Sequence, residues 1–244
     1  MQRIHYDVID STNAEARRLA SAEFREPLLV TAAEQSAGRG RQGRAWQSPV
    51  GGAWMSLAWP AHQPPGVYAA VSLAAAVGVL RGLRELAARS PQRFQIKWPN
   101  DVLIDDRKIA GILCEQRLGG GKHADMIIIG VGVNVNFDHA LFPADLRHPA
   151  TTLSAALDKP ISVDAVVDKI TEHLVSALQA FESEGLSQSL LTELRDSLAY
   201  IGTVRTYHSS SGVIQGRVAG IDDAGRLLFD TPTGRIACDT GEFA

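Results

Sequence analysis

The segment from Gly38 to Arg44 has the sequence GRGRQGR, which places three arginines on a backbone rich in glycine. Guanidinium groups bind phosphate and carboxylate through paired hydrogen bonds, and glycine lets a backbone fold closely around a ligand. The segment therefore suits an anionic ligand. A solvated surface loop is the alternative, but the glycine density and the aromatic Trp46 just beyond favour a functional loop.

The same letters satisfy the G-x-G-x-x-G pattern of dinucleotide-binding folds, which has meaning only between a strand and a helix. Here the residues after Gly43 include Pro49 and the pair Gly51-Gly52, which cannot open a helix. Trp59 and Pro60 stand where the ribose-binding acid is expected. Because no Lys-Ser or Lys-Thr pair follows, the segment is not a Walker loop either.

A second polar cluster, Ser11-Thr12-Asn13, precedes a helical pattern, and Thr12 with Glu15 is typical of a capping box. Capping alone could explain Thr12. A helix N-terminus also offers unpaired backbone donors to a ligand carbonyl or carboxylate, with hydroxyl and amide side chains beside them.

Three further segments place polar groups or glycines next to apolar strands. They are Lys97 to Asp101 (KWPND), Lys108 to Leu113 (KIAGIL) and Gly130 to Asn134 (GVGVN). Glycine inside a buried strand weakens it unless a ligand or another backbone must approach closely. A hairpin corner, a solvated lysine and a packing bulge are the plain alternatives.

The chain shows no His, Cys and carboxylate set with metal-ligand spacing, and no serine in a nucleophile-elbow context. The seven histidines follow no catalytic pattern. Lysine, arginine, asparagine and glycine backbone instead suit the stabilisation of phosphoryl and carboxylate charge. Formation of an acyl-adenylate has that need.

Length and composition allow a folded core, since the 244 residues are 45% hydrophobic. The net charge of -3 gives no general reason to expect nucleic acid or an anionic membrane as a partner. Cys114 and Cys238 match no disulfide framework and are interpreted as buried thiols in a reducing compartment. Val67 to Leu80 is shorter than the ~20 residues of a spanning helix. Met1 to Asp10 does not resemble a signal peptide, so we expect a cytoplasmic protein.

Periodicity predicts an α+β domain in the first 198 residues. The predicted strands are 4–9, 28–33, 53–59, 94–97, 102–104, 108–115 and 125–136. The predicted helices are 13–22, 67–88 (which Pro91 helps to end), 162–184 and 188–198. Gly119 to Gly121 is a predicted connector, and the run from Met126 to Ile129 indicates a strand buried on both faces.

Residues 199–244 have a different pattern, with short strands predicted at 203–207, 213–221, 226–229 and 235–238. Glycine-containing turns separate them, as in a small β barrel. At roughly 45 residues such a domain is close to the minimum size for its own core, so we expect it to lean on the larger domain.

The order and spacing of these segments resemble the biotin protein ligases, which attach biotin to a lysine of biotin-dependent carboxylases. The resemblance covers nearly the whole chain and depends on five segments in order. They are Ser11-Thr12-Asn13, Gln35 to Arg44 with Trp46, Lys97 to Asp101, Arg107 to Leu113, and Gly130 to Asn134. It implies a mixed-sheet catalytic domain related to class II aminoacyl-tRNA synthetase and lipoate ligase folds, followed by an SH3-like β barrel.

The resemblance also implies roles for single residues. Lys108 and Arg41 would be catalytic, with Lys108 bridging the biotin carboxylate and the α-phosphate of ATP. Biotin would contact Ser11, Thr12, Asn13, Gln35, Arg39, Gly40, Arg41, Lys108 and Gly111. The adenylate would contact Arg39, Arg41, Trp46, Asn100, Lys108 and Asn134. Asp101 would support the Mg²⁺ of MgATP, and the segment from Gly38 to Arg44 would close as a lid.

Biotin and ATP with Mg²⁺ are thus the implied substrates, and the implied partner is a biotin carboxyl carrier protein or domain. We expect no nucleic acid or membrane partner, and a monomer or homodimer. Repression of transcription is not expected, because the catalytic pattern starts within a dozen residues of Met1, where larger members have a helix-turn-helix domain. Trp54 and Met55 depart from the residues expected at those positions, which affects the predicted pocket shape.

Two other functions compete. A lipoate ligase shares the adenylating strategy and a related fold, but the GRGRQGR loop argues against it. A non-enzymatic sensor of biotin or a nucleotide would have little need for a cation such as Lys108 at the point of bond formation.

Overall fold

Seven strands form a mixed sheet that carries most of the chain. The structure is a computed structural model that describes residues 1–20, 26–88, 90, 92–118, 124–144 and 146–244. The strands are β1 (Gln2–Ile9), β2 (Leu28–Gln35), β3 (Ala53–Pro60), β4 (Phe94–Lys97), β5 (Asp101–Ile104), β6 (Arg107–Leu118) and β7 (Ala124–Val133). Their order is β1-β2-β3-β7-β6-β5-β4, and only the β1–β2 pair is parallel.

Within the described residues, five helices accompany this sheet. They are α1 (Thr12–Leu19), α2 (Val71–Leu86), α3 (Leu153–Leu157), α4 (Val163–Glu184) and α5 (Gln188–Ser197), with short 3₁₀ turns at Arg41–Gly43, Pro65–Ala70 and His139–Leu141. The sequence missed α3, whose five residues are too few to show a periodicity. The predicted end of α1 at Ala22, the role of Pro91 and the connector Gly119 to Gly121 lie outside the described residues.

Strand β7 lies at the centre of the sheet, and its predicted burial on both faces is confirmed. Met126 and Ile128 pack in a cluster with Ala16 and Ala20 around α1. Ile127 belongs to the larger core on the opposite face. Alternate side chains of β7 therefore pack into two separate cores, because successive side chains of a strand point to opposite faces of the sheet.

Helices α2 and α4 cross closely on the large core face because α2 has glycine at the contact. A Cβ on Gly78 would lie 2.7 Å from Leu174 Cα, and one on Gly82 would lie 2.9 Å from Ile170 Cα. The segment Pro65–Leu86 is long and apolar enough to cross a membrane by length and composition, but it is mostly buried inside the protein. Its apolar character is accounted for by this core position.

The C-terminal part is a five-stranded antiparallel sheet of β8 (Val204–Ser209), β9 (Gly212–Ile221), β10 (Leu227–Thr231), β11 (Gly234–Cys238) and β12 (Gly241–Phe243). The order β11-β10-β9-β8-β12 contains no β11–β12 pairing, so the expected barrel is open rather than closed. The sequence missed β12, which has only three residues.

The small sheet packs against the large domain, as its size suggested. Trp98 Nε1 donates a hydrogen bond to the Gly225 carbonyl at 2.9 Å, and its ring centroid lies 6.2 Å from that of Tyr207. Tyr207 and Phe243 belong to the same buried cluster as the core of the large sheet. The turn before β5 is therefore fixed from both sides.

Both cysteines are free thiols, and Cys238 is a buried residue. Cys114 on β6 keeps some exposed surface as a residue, but its side chain packs against the large core and burial raises the pKa of its thiol to about 12. Both are therefore buried thiols, as the sequence indicated.

Candidate active site

A pocket of about 590 Å³ opens along β6 and β7, beneath the glycine and arginine loop. All thirteen residues that the sequence analysis named line it: Ser11, Thr12, Asn13, Gln35, Arg39, Gly40, Arg41, Trp46, Asn100, Asp101, Lys108, Gly111 and Asn134. The fold thus brings five distant segments together at one surface. Their individual roles stay predictions.

The helix-capping prediction is wrong by one residue. Ser11 is the N-cap of α1, and its Oγ accepts a hydrogen bond from Ala14 N at 3.4 Å. Glu15, the expected capping partner of Thr12, instead accepts hydrogen bonds from Tyr6 and Arg18. Because Thr12 is the first helical residue, its hydroxyl is not used for capping and takes part in the pocket.

Gln35 holds Thr12 from the end of β2. Its Oε1 accepts from Thr12 N at 2.8 Å and from Thr12 Oγ1 at 3.0 Å. Its Nε2 donates to Ser48 Oγ at 2.7 Å, which fixes the orientation of the amide. Gln35 is therefore a rigid part of the pocket wall.

Asn13 packs on Gly130 of β7, where any Cβ would collide with the Asn13 side-chain oxygen. Its Oδ1 lies 2.5 Å from Ser56 Oγ, and its Nδ2 donates to Glu115 Oε2 at 2.8 Å. Asn13 and Ser56 are buried. The glycine that the sequence analysis noted in β7 is thus explained by close approach of a side chain.

Further along the sheet, Gly111 of β6 faces Gly132 of β7 in register, and the Trp46 indole packs over both. A Cβ on Gly111 would lie 2.9 Å from the Trp46 ring, and one on Gly132 would lie 2.6 Å from Trp46 Nε1. This indole nitrogen is buried and has no hydrogen-bond partner among the described residues. The two glycines thus form a flat floor that accepts an aromatic ring.

Lys108 lies at the cationic end of the pocket. Its Nζ is 2.7 Å from Asp101 Oδ1 and 5.0 Å from the centroid of the Trp46 ring. The Lys108–Asp101 contact is an ion pair without the alignment of a hydrogen bond. A register shift between β5 and β6 leaves Ile109 unpaired next to Lys108, and such bulges re-aim side chains beside functional sites.

Two asparagines fix the backbone at this end. Asn134 is buried, and its Nδ2 donates to the Thr151 carbonyl at 3.1 Å and the Lys108 carbonyl at 3.4 Å. Asn100 Nδ2 donates to the Ile112 carbonyl at 2.9 Å, while its Oδ1 accepts from Arg41 at 2.8 Å. Both side chains therefore position the cations as well as lining the pocket.

The glycine and arginine loop has a defined conformation. Arg39 and Ala45 pair as an isolated antiparallel bridge, and Gln42 and Gly43 have positive φ angles of 57° and 72°. Gly38 has no room for a Cβ, which would lie 2.6 Å from Ser48 Oγ. These positions explain the need for glycine in the turn, and the predicted hinge motion stays a prediction.

Each arginine of the loop has a different partner. Arg39 lies 3.3 Å from Glu115 Oε2 on β6, and Arg41 contacts Asn100. Arg44 forms an ion pair with Glu242 of β12, which also accepts from Arg147 at 2.8 Å. Arg44 thus connects the loop to the C-terminal sheet.

Sequence reasoning missed Lys97 as a site residue, although it singled out its segment. Lys97 is 5% exposed and faces Asp101 across the β4–β5 pair. Burial lowers the pKa of its amine to about 8, and the positive charge of Lys108 adds to this, while Asp101 opposes it. A second lysine, whose pKa is about 8, therefore lies beside the Lys108–Asp101 pair.

His148 was also missed, because the histidines follow no sequence pattern. It lines the pocket together with its neighbours Leu146 and Ala150. The pKa of His148 is lowered mainly by burial and further by the positive charge of Lys97. The lowered pKa favours the neutral form of the imidazole. Glu242 has no local sequence signal either, since its partners lie about a hundred residues or more away.

Of the two residues that depart from the expected pattern, only Met55 lines the pocket. Trp54 Nε1 instead donates to the Pro49 carbonyl at 2.9 Å, and its ring lies 6.0 Å from that of Phe137. The effect on pocket shape therefore falls on Met55.

A magnesium ion fits the site only as part of MgATP. Within the described ranges, no group of three or more His, Cys, Asp or Glu side chains could hold a metal by itself. Asp101, beside Lys108, and Glu242, beside Arg44, are the carboxylates that line the pocket within the described ranges. Mg²⁺ commonly binds through one or two carboxylates together with substrate phosphates, which is compatible with a single aspartate.

Comparisons with known proteins identify the family of this chain. Residues 6–134 match the model of the biotin/lipoate A/B protein ligase family, and residues 204–244 match the biotin protein ligase C-terminal domain. The bifunctional ligase/repressor BirA of Bacillus subtilis is 37% identical over 233 residues, which are 95% of this chain and 70% of that protein. The biotin--[acetyl-CoA-carboxylase] ligase of Paracoccus denitrificans is 32% identical over 96% of both chains.

A solved structure gives the same result for the fold. The biotin protein ligase from Aquifex aeolicus in complex with biotin and ATP has a TM-score of 0.83 and 27% identity. The similarity covers 100% of this chain and 97% of that one.

Proposed function

We propose which end of the pocket binds the biotin ring and which end stabilises the reaction in this chain, which belongs to the biotin/lipoate A/B protein ligase family and acts as a biotin protein ligase. Such an enzyme activates biotin with MgATP to biotinyl-5'-AMP and then transfers the biotinyl group to a lysine of a carrier protein. The observation that supports the division is the contrast between the two ends of the pocket. One end holds neutral hydroxyl and amide groups, and the other holds Lys97, Lys108 and Arg41.

Biotin has matching chemistry, with an uncharged ureido ring at one end and a carboxylate at the other. We assign the ring to the neutral end, near Ser11, Thr12, Asn13 and Gln35. The carboxylate then points along β7 towards Lys108. From Gly130 beside Asn13 to Asn134 beside Lys108 is four residues, which is roughly 13 Å along a strand.

In the first step, a carboxylate oxygen attacks the α-phosphorus of ATP, and the bond to pyrophosphate breaks. Negative charge crowds around the α-phosphate as this occurs, and a fixed cation lowers the barrier most where charge develops. Lys108 takes this role in the proposal, and Asp101 releases it to the substrate. Arg39 and Arg41 contribute further positive charge from the loop.

The adenylate contacts Trp46, Asn100 and Asn134 in this proposal. The flat indole over Gly111 and Gly132 provides a surface for an aromatic base. Asn100 bonds to the Arg41 side chain and Asn134 to the Lys108 main chain, so the two asparagines position these cations. Asp101 would help to hold the Mg²⁺ of MgATP, which would offset phosphate charge when bound.

In the second step, the amine of the carrier lysine attacks the acyl carbon of the mixed anhydride. The C–O bond to AMP breaks, and the amine loses a proton to solvent. Because the phosphate is already a good leaving group, positioning and exclusion of water dominate this step. Closure of the loop from Gly38 to Arg44 protects the adenylate until the carrier arrives.

The second substrate is a biotin carrier protein, and we propose that it is the carrier protein or domain of a biotin-dependent carboxylase. We also propose a cytoplasmic enzyme that works as a monomer or homodimer without nucleic acid or membrane.

The test uses purified protein with biotin, MgATP and an apo carrier domain. We expect biotin-dependent pyrophosphate release and biotinylated carrier by mass spectrometry, while lipoate supports neither. Pyrophosphate release with lipoate instead of biotin would identify a lipoate ligase. Biotin binding without pyrophosphate release would indicate a sensor.

A further inference from the structure

The pocket has a much more positive charge than the chain as a whole. Among the described residues that line it are two carboxylates, Asp101 and Glu242, and six cationic side chains: Arg39, Arg41, Arg44, Lys97, Lys108 and Arg147. This is an excess of four positive charges in a chain whose net charge is -3, so all other residues together carry -7. Such an asymmetry concentrates the attraction for anions at one place on the surface.

The cations lie at two depths. Lys97 is buried and Lys108 is half-buried, so both lie inside the pocket. The side chains of Arg39, Arg44 and Arg147 are 46%, 41% and 64% exposed, which places them at the mouth. The outer cations therefore face solvent in front of the groups that bind the adenylate.

Shared carboxylates hold the outer arginines in place without cancelling their charge. Each of two glutamates pairs with two arginines: Glu115 with Arg39 (3.3 Å) and Arg17 (3.5 Å), and Glu242 with Arg44 and Arg147 (2.8 Å). One positive charge thus remains in each group of three. We call the four exposed arginines of these groups the arginine rim.

The adenylate leaves much of the positive charge unmatched. When biotin is activated, its carboxylate loses its charge in the mixed anhydride, and pyrophosphate carries away the two outer phosphates of ATP. The remaining acyl-phosphate has a single negative charge, so the loaded pocket keeps an excess of about three positive charges. The state that meets the acceptor protein is therefore more positive than the state that holds both substrates.

We propose that the arginine rim docks an acidic protein surface, namely the face of the carrier around its acceptor lysine. This inference rests on the proposed function, which makes a carrier protein the second substrate. Carboxylates on that face would pair with arginines that now share their glutamates, and the positive field would speed the encounter. The rim would also repel a protein whose lysine lies among basic residues, so the charge contributes to specificity.

A nucleic acid is the other large anion that arginines could bind. Duplex DNA carries about one negative charge per 1.7 Å of its axis, so its contact would extend well beyond the pocket mouth. The residues outside the pocket carry -7 and would oppose such a contact. A compact carrier face can contact the rim alone, and for this reason an acidic protein fits better.

The experiment uses the full chain and two apo carrier domains that differ only at two surface positions beside the acceptor lysine. These positions hold Glu in one domain and Lys in the other. At saturating biotin and MgATP we expect kcat/KM to be about tenfold higher for the Glu domain. The difference should shrink as NaCl increases from about 20 to about 300 mM, because salt screens exposed charges. Hydroxylamine, a small uncharged acceptor that traps the adenylate as a hydroxamate, should react with little dependence on salt.

Arg17→Glu tests the rim itself, because Arg17 does not line the pocket and has no role in the proposed chemistry. We expect kcat/KM to fall severalfold for the Glu domain and to rise for the Lys domain, while hydroxamate forms at the wild-type rate. Arg235→Glu is the matched control. It changes the net charge equally on β11, which lies at the opposite edge of the small sheet from β12. It should keep the wild-type preference.

Equal kcat/KM for the two domains, or a preference that salt leaves unchanged, would overturn the inference. This comparison uses the wild-type protein and does not depend on the folding of a variant. A labelled DNA duplex of about 20 base pairs that competes with the Glu domain would identify the rim as a nucleic-acid site instead and would also overturn it. Absence of biotin hydroxamate from the wild-type reaction would refute the proposed function rather than the rim.

Discussion

The two ends of the pocket differ in how their polar groups are satisfied. At the neutral end, buried side chains of Thr12, Asn13 and Ser56 bond to one another and to main chain that the sheet fixes. At the cationic end, Arg41 contacts the partly exposed Asn100, and Lys108 makes an ion pair with Asp101 that lacks the alignment of a hydrogen bond. The groups of the neutral end are therefore held in place by the fold, and we propose that the cations exchange their present partners for a ligand.

This difference predicts that substitutions at the cationic end affect the reaction more than they affect biotin binding. The largest effect is expected for Lys108→Ala, which removes the cation at the bond that forms. Loss of a group that stabilises transition-state charge costs about 10²- to 10³-fold in rate. Biotin-dependent pyrophosphate release measures it, with Lys159→Ala as a control for loss of a lysine away from the pocket. A wild-type rate in Lys108→Ala would show that the assignment is wrong.

A smaller effect is expected for Arg41→Ala in the loop. The side chain bonds to Asn100 and covers the adenylate in the proposal, so its loss should let biotinyl-5'-AMP escape. We expect about tenfold more labelling of lysines on a bystander protein, with adenylate formation reduced less. Arg235→Ala in the small sheet is the matched control. Equal labelling by the two variants would exclude a lid role for Arg41.

The smallest effect concerns Lys97, and it depends on pH. Since burial lowers its pKa to about 8, the folded protein holds the positive charge below pH 8 and loses it above. We expect the KM for ATP to rise severalfold as the pH increases from 7 to 9. Lys97→Arg should remove this rise, because a guanidinium stays charged. An identical pH profile for both proteins would show that Lys97 does not contact the nucleotide.

The lowered pKa of Lys97 also affects the free energy of unfolding. Here a rise in pH is favourable, whereas for ATP binding it is unfavourable. Between about pH 8 and 10.5 the unfolded chain still binds a proton that the folded protein has lost. The unfolding free energy contributed by Lys97 therefore rises with pH in this window.

Sequence reasoning named residues that line one pocket because their segments carry unusual combinations of residues close together in the chain. The GRGRQGR loop and the glycines of β7 are visible without a structure, and the long strands follow from their apolar periodicity. It placed the N-cap at Thr12 rather than Ser11, because both residues are good caps and only the backbone decides between them. This one-residue difference frees the Thr12 hydroxyl for the pocket.

The groups behind the pocket could not be predicted in the same way. Glu115, Ser56 and Glu242 are ordinary residues in their own segments, and their partners lie 43 to 198 residues away. The register of β6 on β7 and the packing of β12 determine these contacts, and neither leaves a local pattern. The bulge at Ile109 is likewise a property of the pairing of two strands.

The most direct test of the two-ended pocket compares biotin with biotinamide, which lacks the carboxylate, by calorimetry on wild type and Lys108→Ala. We expect the wild type to prefer biotin. Lys108→Ala should lose this preference and still discriminate against a biotin analogue that is methylated on a ureido nitrogen. If Lys108→Ala kept its preference for biotin over biotinamide, the carboxylate would not lie at Lys108 and the orientation proposed for biotin would be wrong.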